Sequence, residues 1–238
     1  MLQTLTDNEL RNLCREKLES LEHWLRRLID QTLSDEYGDY FSYTDDSGNR
    51  LIKKSIVEAL EERVKKEPSR YHRKIDAVLL SDAIDIICKP QLYEFFKSAL
   101  AGAFPDGREE ARTFMNRLLD PRNRLAHANS ISLRQAEQVI CYSNDIIDSM
   151  KAYYVTMGTQ QEYNVPLILK VTDSFGNTFF RDQLFNGDGA ELAKILSEEP
   201  KFFLRPGDLL TIEIEVDPAF DPNDYRVNWH VDGMIEPS

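Results

Sequence analysis

Arg122, Asn123 and His127 lie within six residues of one another and are the side chains best suited to chemistry in this sequence. The guanidinium of Arg122 offers a planar fork of donors that fits a phosphate. His127 carries the side chain whose ordinary pKa lies nearest neutral pH, so it can accept or deliver a proton. Asn123 and His127 are four apart and share a face on a helix, where the amide can orient the imidazole or grip a phosphate oxygen. Arg122 and His127 are five apart, about 140° around an ideal helix. One helix therefore does not aim both at a single atom, and the mismatch points to two copies of the segment meeting across an interface.

The pattern Arg-Asn-x-x-x-His is too specific to read as accident. Given the chain's 17 Arg, 12 Asn and 4 His, it arises by chance about 0.01 times. Its wording, Arg122-Asn123-x-x-Ala126-His127, resembles the Arg-x(4)-His signature of the HEPN family of RNA-cutting and RNA-binding helical domains. An apolar helix precedes it (Phe114, Leu118, Leu119) and a long amphipathic helix follows. The resemblance covers about residues 5–155. It is closest to the HEPN type attached to an endoribonuclease of nuclear RNA quality control and widespread in bacterial proteins. Pro121 departs from the pattern and must kink or restart the helix just before the motif.

The resemblance implies an endoribonuclease that uses the RNA's own 2′-OH as nucleophile. Such cleavage needs a base, a cation for the charge gathering on the phosphate, and an acid for the leaving 5′-oxygen. No metal or other cofactor is called for. His127 suits the base or acid and Arg122 the phosphate, helped by free N–H groups if a helix restarts at Asp120-Pro121. Arg124 reads as a surface or phosphate contact. The family's proteins are usually dimers that place two motifs together, and they often serve as toxins or antiviral defence effectors. The bland alternative is that Arg122, Asn123 and His127 only cap and pair helices.

These residues need a scaffold, and 238 residues at 42% hydrophobic content are enough for one large domain or two small ones. No apolar run approaches the length of a membrane span, and the polar start Met1–Asn8 is not a signal peptide, so a cytoplasmic location is expected. Cys14, Cys88 and Cys141 have no ligand spacing and read as buried thiols. The net charge of −12 argues at first against nucleic acid, but it is uneven. Residues 1–159 carry 23 basic and 26 acidic groups, and residues 160–238 carry 6 and 15. A boundary is expected near Gly158–Gln161, separating a helical domain (1–158) from an acidic β domain (163–238).

The first half has helical periodicity. Thr6-Asp7-Asn8-Glu9 is a capping box opening a helix to about Ser34, with Leu10, Cys14, Leu18, Leu21, Leu25 and Leu28 on its apolar stripe. His23 falls off that stripe and reads as exposed. Tyr37, Tyr40, Phe41 and Tyr43 surround a polar loop, as anchors or as stacking surfaces for bases. Further helices are expected over Leu51–Lys66, from Ser81 to Pro90, over Gln91–Ala101, from Arg108 into the motif, and from Ser132 to about Met157. Arg50–Lys74 holds the strongest basic cluster, net +5. Its residues Lys53, Lys54, Arg63, Lys65, Lys66, Arg70, Arg73 and Lys74 form either a solvated helix face or a surface that tracks RNA phosphates. His72 within it reads as a surface residue.

The second half changes to period two. Val165–Val171 and Thr178–Leu184 flank the turn Asp173–Asn177 and predict a hairpin. A short helix is expected over Gly189–Leu196, and strands over Lys201–Leu204, Leu209–Val216 and Tyr225–Val231, with Trp229 inward and His230 outward. These make a small antiparallel, immunoglobulin-like domain. Its acidic groups, among them Asp208, Glu213, Glu215, Asp217, Asp221 and Asp224, repel RNA and attract basic surfaces. The fold class is thus α+β in two domains. Two function classes follow: a metal-independent endoribonuclease, or a non-catalytic dimeric module whose β domain recruits a protein partner through an unpaired strand edge.

Overall fold

A computed structural model describes residues 2–68, 70–71, 73–158, 168–180, 207, 209–216 and 226–227. Helix α1, Asp7–Tyr37, begins where the sequence sets its cap: Thr6 Oγ1 accepts from the Glu9 N–H at 3.3 Å, and the Glu9 carboxylate accepts from the Thr6 N–H at 2.8 Å. It runs past the expected end at Ser34. Gly38, at φ 64°, is the residue that releases the chain from the helix.

Helix α7, Leu133–Thr156, packs along α1 and opens on the second capping box, Ser132 with Gln135. Between them come α2, Lys54–Lys66; a 3-10 turn, Lys74–Ala77; α3, Leu80–Ile87; α4, Tyr93–Leu100; α5, Arg108–Asn116; and α6, Leu119–Ala126. The core gathers around α1, with Trp24, Leu25, Leu28, Ile29, Phe96 and Met150 almost wholly buried.

Two expectations need correction. His23 is half-buried rather than exposed, because neighbouring elements enclose α1 on most of its circumference from Ser20 to Ile29. Its middle turns bury Ser20, Leu21, Trp24, Leu25, Arg27, Leu28 and Ile29, more than a single stripe. Cys14 and Cys88 are buried free thiols, and burial pushes each up to about 11, but Cys141 is exposed on the outer face of α7.

The aromatic loop is anchored by Tyr40 and Phe41, both buried, with the Tyr40 hydroxyl donating to Asp30 Oδ1 at 2.9 Å. Tyr37 packs edge-on against Tyr43 and Phe95. Asp45 closes the loop's tip by accepting from the backbone N–H groups of Ser47 and Asn49 and from the Asn49 amide. The same device recurs at Asp173, which accepts from Phe175 and Asn177. Both turns spell Asp-x-x-Gly-Asn, with Gly48 and Gly176 at positive φ.

The chain divides into two compact units, Met1–Val165 and Pro166–Ser238. In the second, β1, Ile168–Asp173, pairs antiparallel with β2, Thr178–Phe180, and with β3, Ile212–Val216, in the order β2-β1-β3. The β1–β2 hairpin turns at Asp173–Asn177 as its sequence predicts. The expected helix over Gly189–Leu196, the strand Lys201–Leu204, and the residues His72, Trp229, His230, Asp208, Asp217, Asp221 and Asp224 lie outside the described residues. No described helix is long and apolar enough to cross a membrane.

Candidate functional site

The motif occupies α6 and its C-terminal cap. Helix α5 stops at Asn116 and α6 starts at Leu119, so Pro121 sits in the first turn of a new helix, where its missing N–H costs no intrahelical bond. Pro121 and Leu125, four apart, are buried and fix which face of α6 turns inward. The remaining directions follow from the helical period. Asn123 and His127 share the solvent side and are exposed, while Arg122 is half-buried on the flank toward α1.

Arg122 meets a residue that sequence reading did not single out. Its Nε donates to Glu22 Oε1 of α1 at 3.3 Å. Glu22, whose side chain is 12% exposed, also accepts from Arg26 at 2.9 Å and from the Leu80 N–H at 3.3 Å. One carboxylate thus joins α1, the first turn of α3 and the motif helix. It holds Arg122 side-on through Nε. The two terminal amino groups of the guanidinium, the fork that fits a phosphate, have no carboxylate partner among the described residues. Nothing in the local sequence signals Glu22, which lies 100 residues from Arg122.

Arg124 is arranged the same way, its Nε donating to Asp120 Oδ2 at 3.1 Å. That oxygen also accepts from Gln135 Nε2 at 2.7 Å, so the cap of α7 is tied to the first turn of α6.

His127 is the C-cap of α6, and the chain turns immediately after it. The Ala128 N–H donates to Leu125 O at 3.2 Å and the Asn129 N–H to Arg124 O at 2.9 Å, the paired bonds of a Schellman ending. The turn puts Ala128 at φ 56°, a left-handed conformation that suits glycine and strains alanine. Arg11 of α1 holds it there, donating from Nη1 to Ala128 O at 2.9 Å. The residue next to the imidazole is therefore clamped from 117 positions away. Replacing Ala128 by glycine is expected to raise unfolding stability by about 1 kcal/mol, since glycine reaches this φ without the Cβ penalty. Urea unfolding of the two proteins measures it, and an unchanged or lowered midpoint contradicts the strain.

The basic cluster is largely paired within the chain. Lys53 meets Asp85, Lys54 meets Glu58, Arg63 meets Asp82, Lys66 meets Glu62, Arg70 meets Glu67, Arg73 meets Asp30, and Lys74 meets Glu61. Lys65 is exposed with no carboxylate partner among the described residues. Most of these pairs are solvent-exposed and individually weak, so a polyanion can compete for the cations. The surface is nonetheless less positive than a count over residues 50–74 implies.

No family model matches the chain, and no curated protein or solved structure is significantly similar to it.

Proposed function

We propose that the chain is a HEPN-like endoribonuclease that cleaves RNA by 2′-OH attack without a metal, working as a homodimer and serving as a toxin or defence effector in the cytoplasm. The observation that carries this reading is the presentation of Arg122, Asn123 and His127. The imidazole and the amide stand on one exposed face, His127 ends a restrained helix, and Arg122 is held so that its terminal amino groups stay available. His127 takes the proton of the 2′-OH or delivers one to the departing 5′-oxygen, and Arg122 stabilises the charge on the phosphate. One motif supplies one imidazole, whereas the reaction uses a base and an acid. A second copy facing the solvent side of α6 supplies the other. Incubating purified protein with tRNA in excess chelator tests the activity, and light scattering tests the assembly. Cleavage by a dimer is the expected outcome; a strict monomer that leaves RNA intact contradicts the reading.

The second reading is a non-catalytic dimeric module. The neutralisation of the 53–74 cations by neighbouring carboxylates favours it, since it weakens the surface on which RNA would lie. In either reading, residues 166–238 are an acidic immunoglobulin-like module that docks a protein partner. Within the described sheet β3 is an edge strand, with Glu213 and Glu215 exposed.

A further inference from the structure

Ten residues before His127, at the junction of α5 and α6, Arg117 is set differently from its neighbours. Arg26, Arg63, Arg73, Arg112, Arg122 and Arg124 each meet a carboxylate. Arg117 has no carboxylate partner among the described residues and is exposed. Its guanidinium carbon lies 4.7 Å from the centre of the Phe114 ring. Its Nη1 donates to the Tyr142 hydroxyl of α7 at 3.3 Å. Phe114 and Tyr142 themselves meet edge to face, 5.1 Å apart at 80°, and Phe114 is backed by the buried Phe104. The exposed cation is therefore braced over an aromatic ring.

We propose that Arg117, laid on Phe114 and braced by Tyr142, is a stacking subsite for an unpaired RNA base a short way along the strand from the phosphate at His127. A flat guanidinium stacks on a nucleobase face as it does on an aromatic ring, and its charge suits the adjoining phosphate. Bracing by Phe114 and Tyr142 reduces the side-chain freedom that binding would otherwise remove. Arg117 lies ten residues before His127, across the break between α5 and α6, so the two contact different nucleotides of one strand. Stacking is tolerant of base identity, so the subsite selects single-stranded RNA over duplex rather than one sequence.

The proposal rests on the RNA-cleaving reading of the motif. Its test uses the full chain carrying His127→Ala, which is not expected to cut, with labelled oligoadenylate and oligouridylate as probes. Adding Arg117→Ala should weaken binding of both by about tenfold, the scale of losing one stacked base. Arg117→Lys keeps the charge and loses the plane, so it should recover little, and the deficit should persist at raised salt. Unchanged affinity in Arg117→Ala, or full recovery in Arg117→Lys, overturns the stacking subsite while leaving the cleavage reading standing. Failure of the parent protein to bind either strand overturns both.

Discussion

Replacing His127 by alanine is expected to lower RNA cleavage at least about a hundredfold, the usual scale for losing a proton-transfer group. Arg122→Ala should cost a similar factor, because a cation held beside the phosphate acts on charge that develops only as the reaction proceeds. The two variants should differ in stability. His127 is exposed at a helix cap with no side-chain hydrogen bond among the described residues, so its loss should leave unfolding within about 0.5 kcal/mol of the parent. Arg122 is tied to Glu22, so its loss should also destabilise the fold. Arg122→Lys should not restore the rate, since an ammonium lacks the fork that remains free beyond Nε. Rates measured on single-stranded RNA, alongside urea unfolding of each variant, check both statements. Full activity in both alanine variants would remove the motif from the chemistry.

Replacing Glu22 by alanine is expected to destabilise the helical unit by roughly 2–3 kcal/mol, well above the effect of an ordinary surface change. Removing the carboxylate leaves Arg26 and Arg122 without this counter-charge, and their side chains are only 17% and 25% exposed. It also strands the Leu80 N–H, one of the donors at the start of α3 that the helix itself cannot satisfy. Urea unfolding followed by circular dichroism measures the change. A shift below about 0.5 kcal/mol would mean that Glu22 is a solvated surface residue and that Arg122 is not held. Glu22→Gln should fall between the two, because the amide oxygen still accepts hydrogen bonds but carries no charge.

Several elements were legible in the sequence because their signals are local. The capping boxes at Thr6 and Ser132 place the starts of α1 and α7, and Pro121 marks the new helix that bears the motif. Asp173-Ser-Phe-Gly-Asn177 marks the hairpin turn. What stayed hidden depends on partners distant in the chain. Glu22, Arg11 and Tyr142 reach the motif region across separations of 100, 117 and 25 residues, which no spacing rule encodes. The burial of His23 is not legible because the central helix is enclosed on nearly every side, and an apolar stripe does not reveal how many neighbours pack around it. The pairing of the positive stretch 50–74 stayed hidden for a related reason. Its cations answer carboxylates on other elements, such as Asp30, Asp82 and Asp85, that lie outside the counted window.

The most direct measurement is the chemical nature of the cut ends. Purified protein is incubated with a defined single-stranded RNA in excess chelator, beside the His127→Ala variant, and the products are resolved by mass. Attack by the RNA's own 2′-OH leaves a 2′,3′-cyclic phosphate on one fragment and a free 5′-hydroxyl on the other, and these ends are expected from the parent protein and absent from the variant. Fragments bearing a 5′-phosphate, cleavage that stops in chelator, or equal cleavage by the variant would contradict an RNA-cleaving site built on His127 and Arg122.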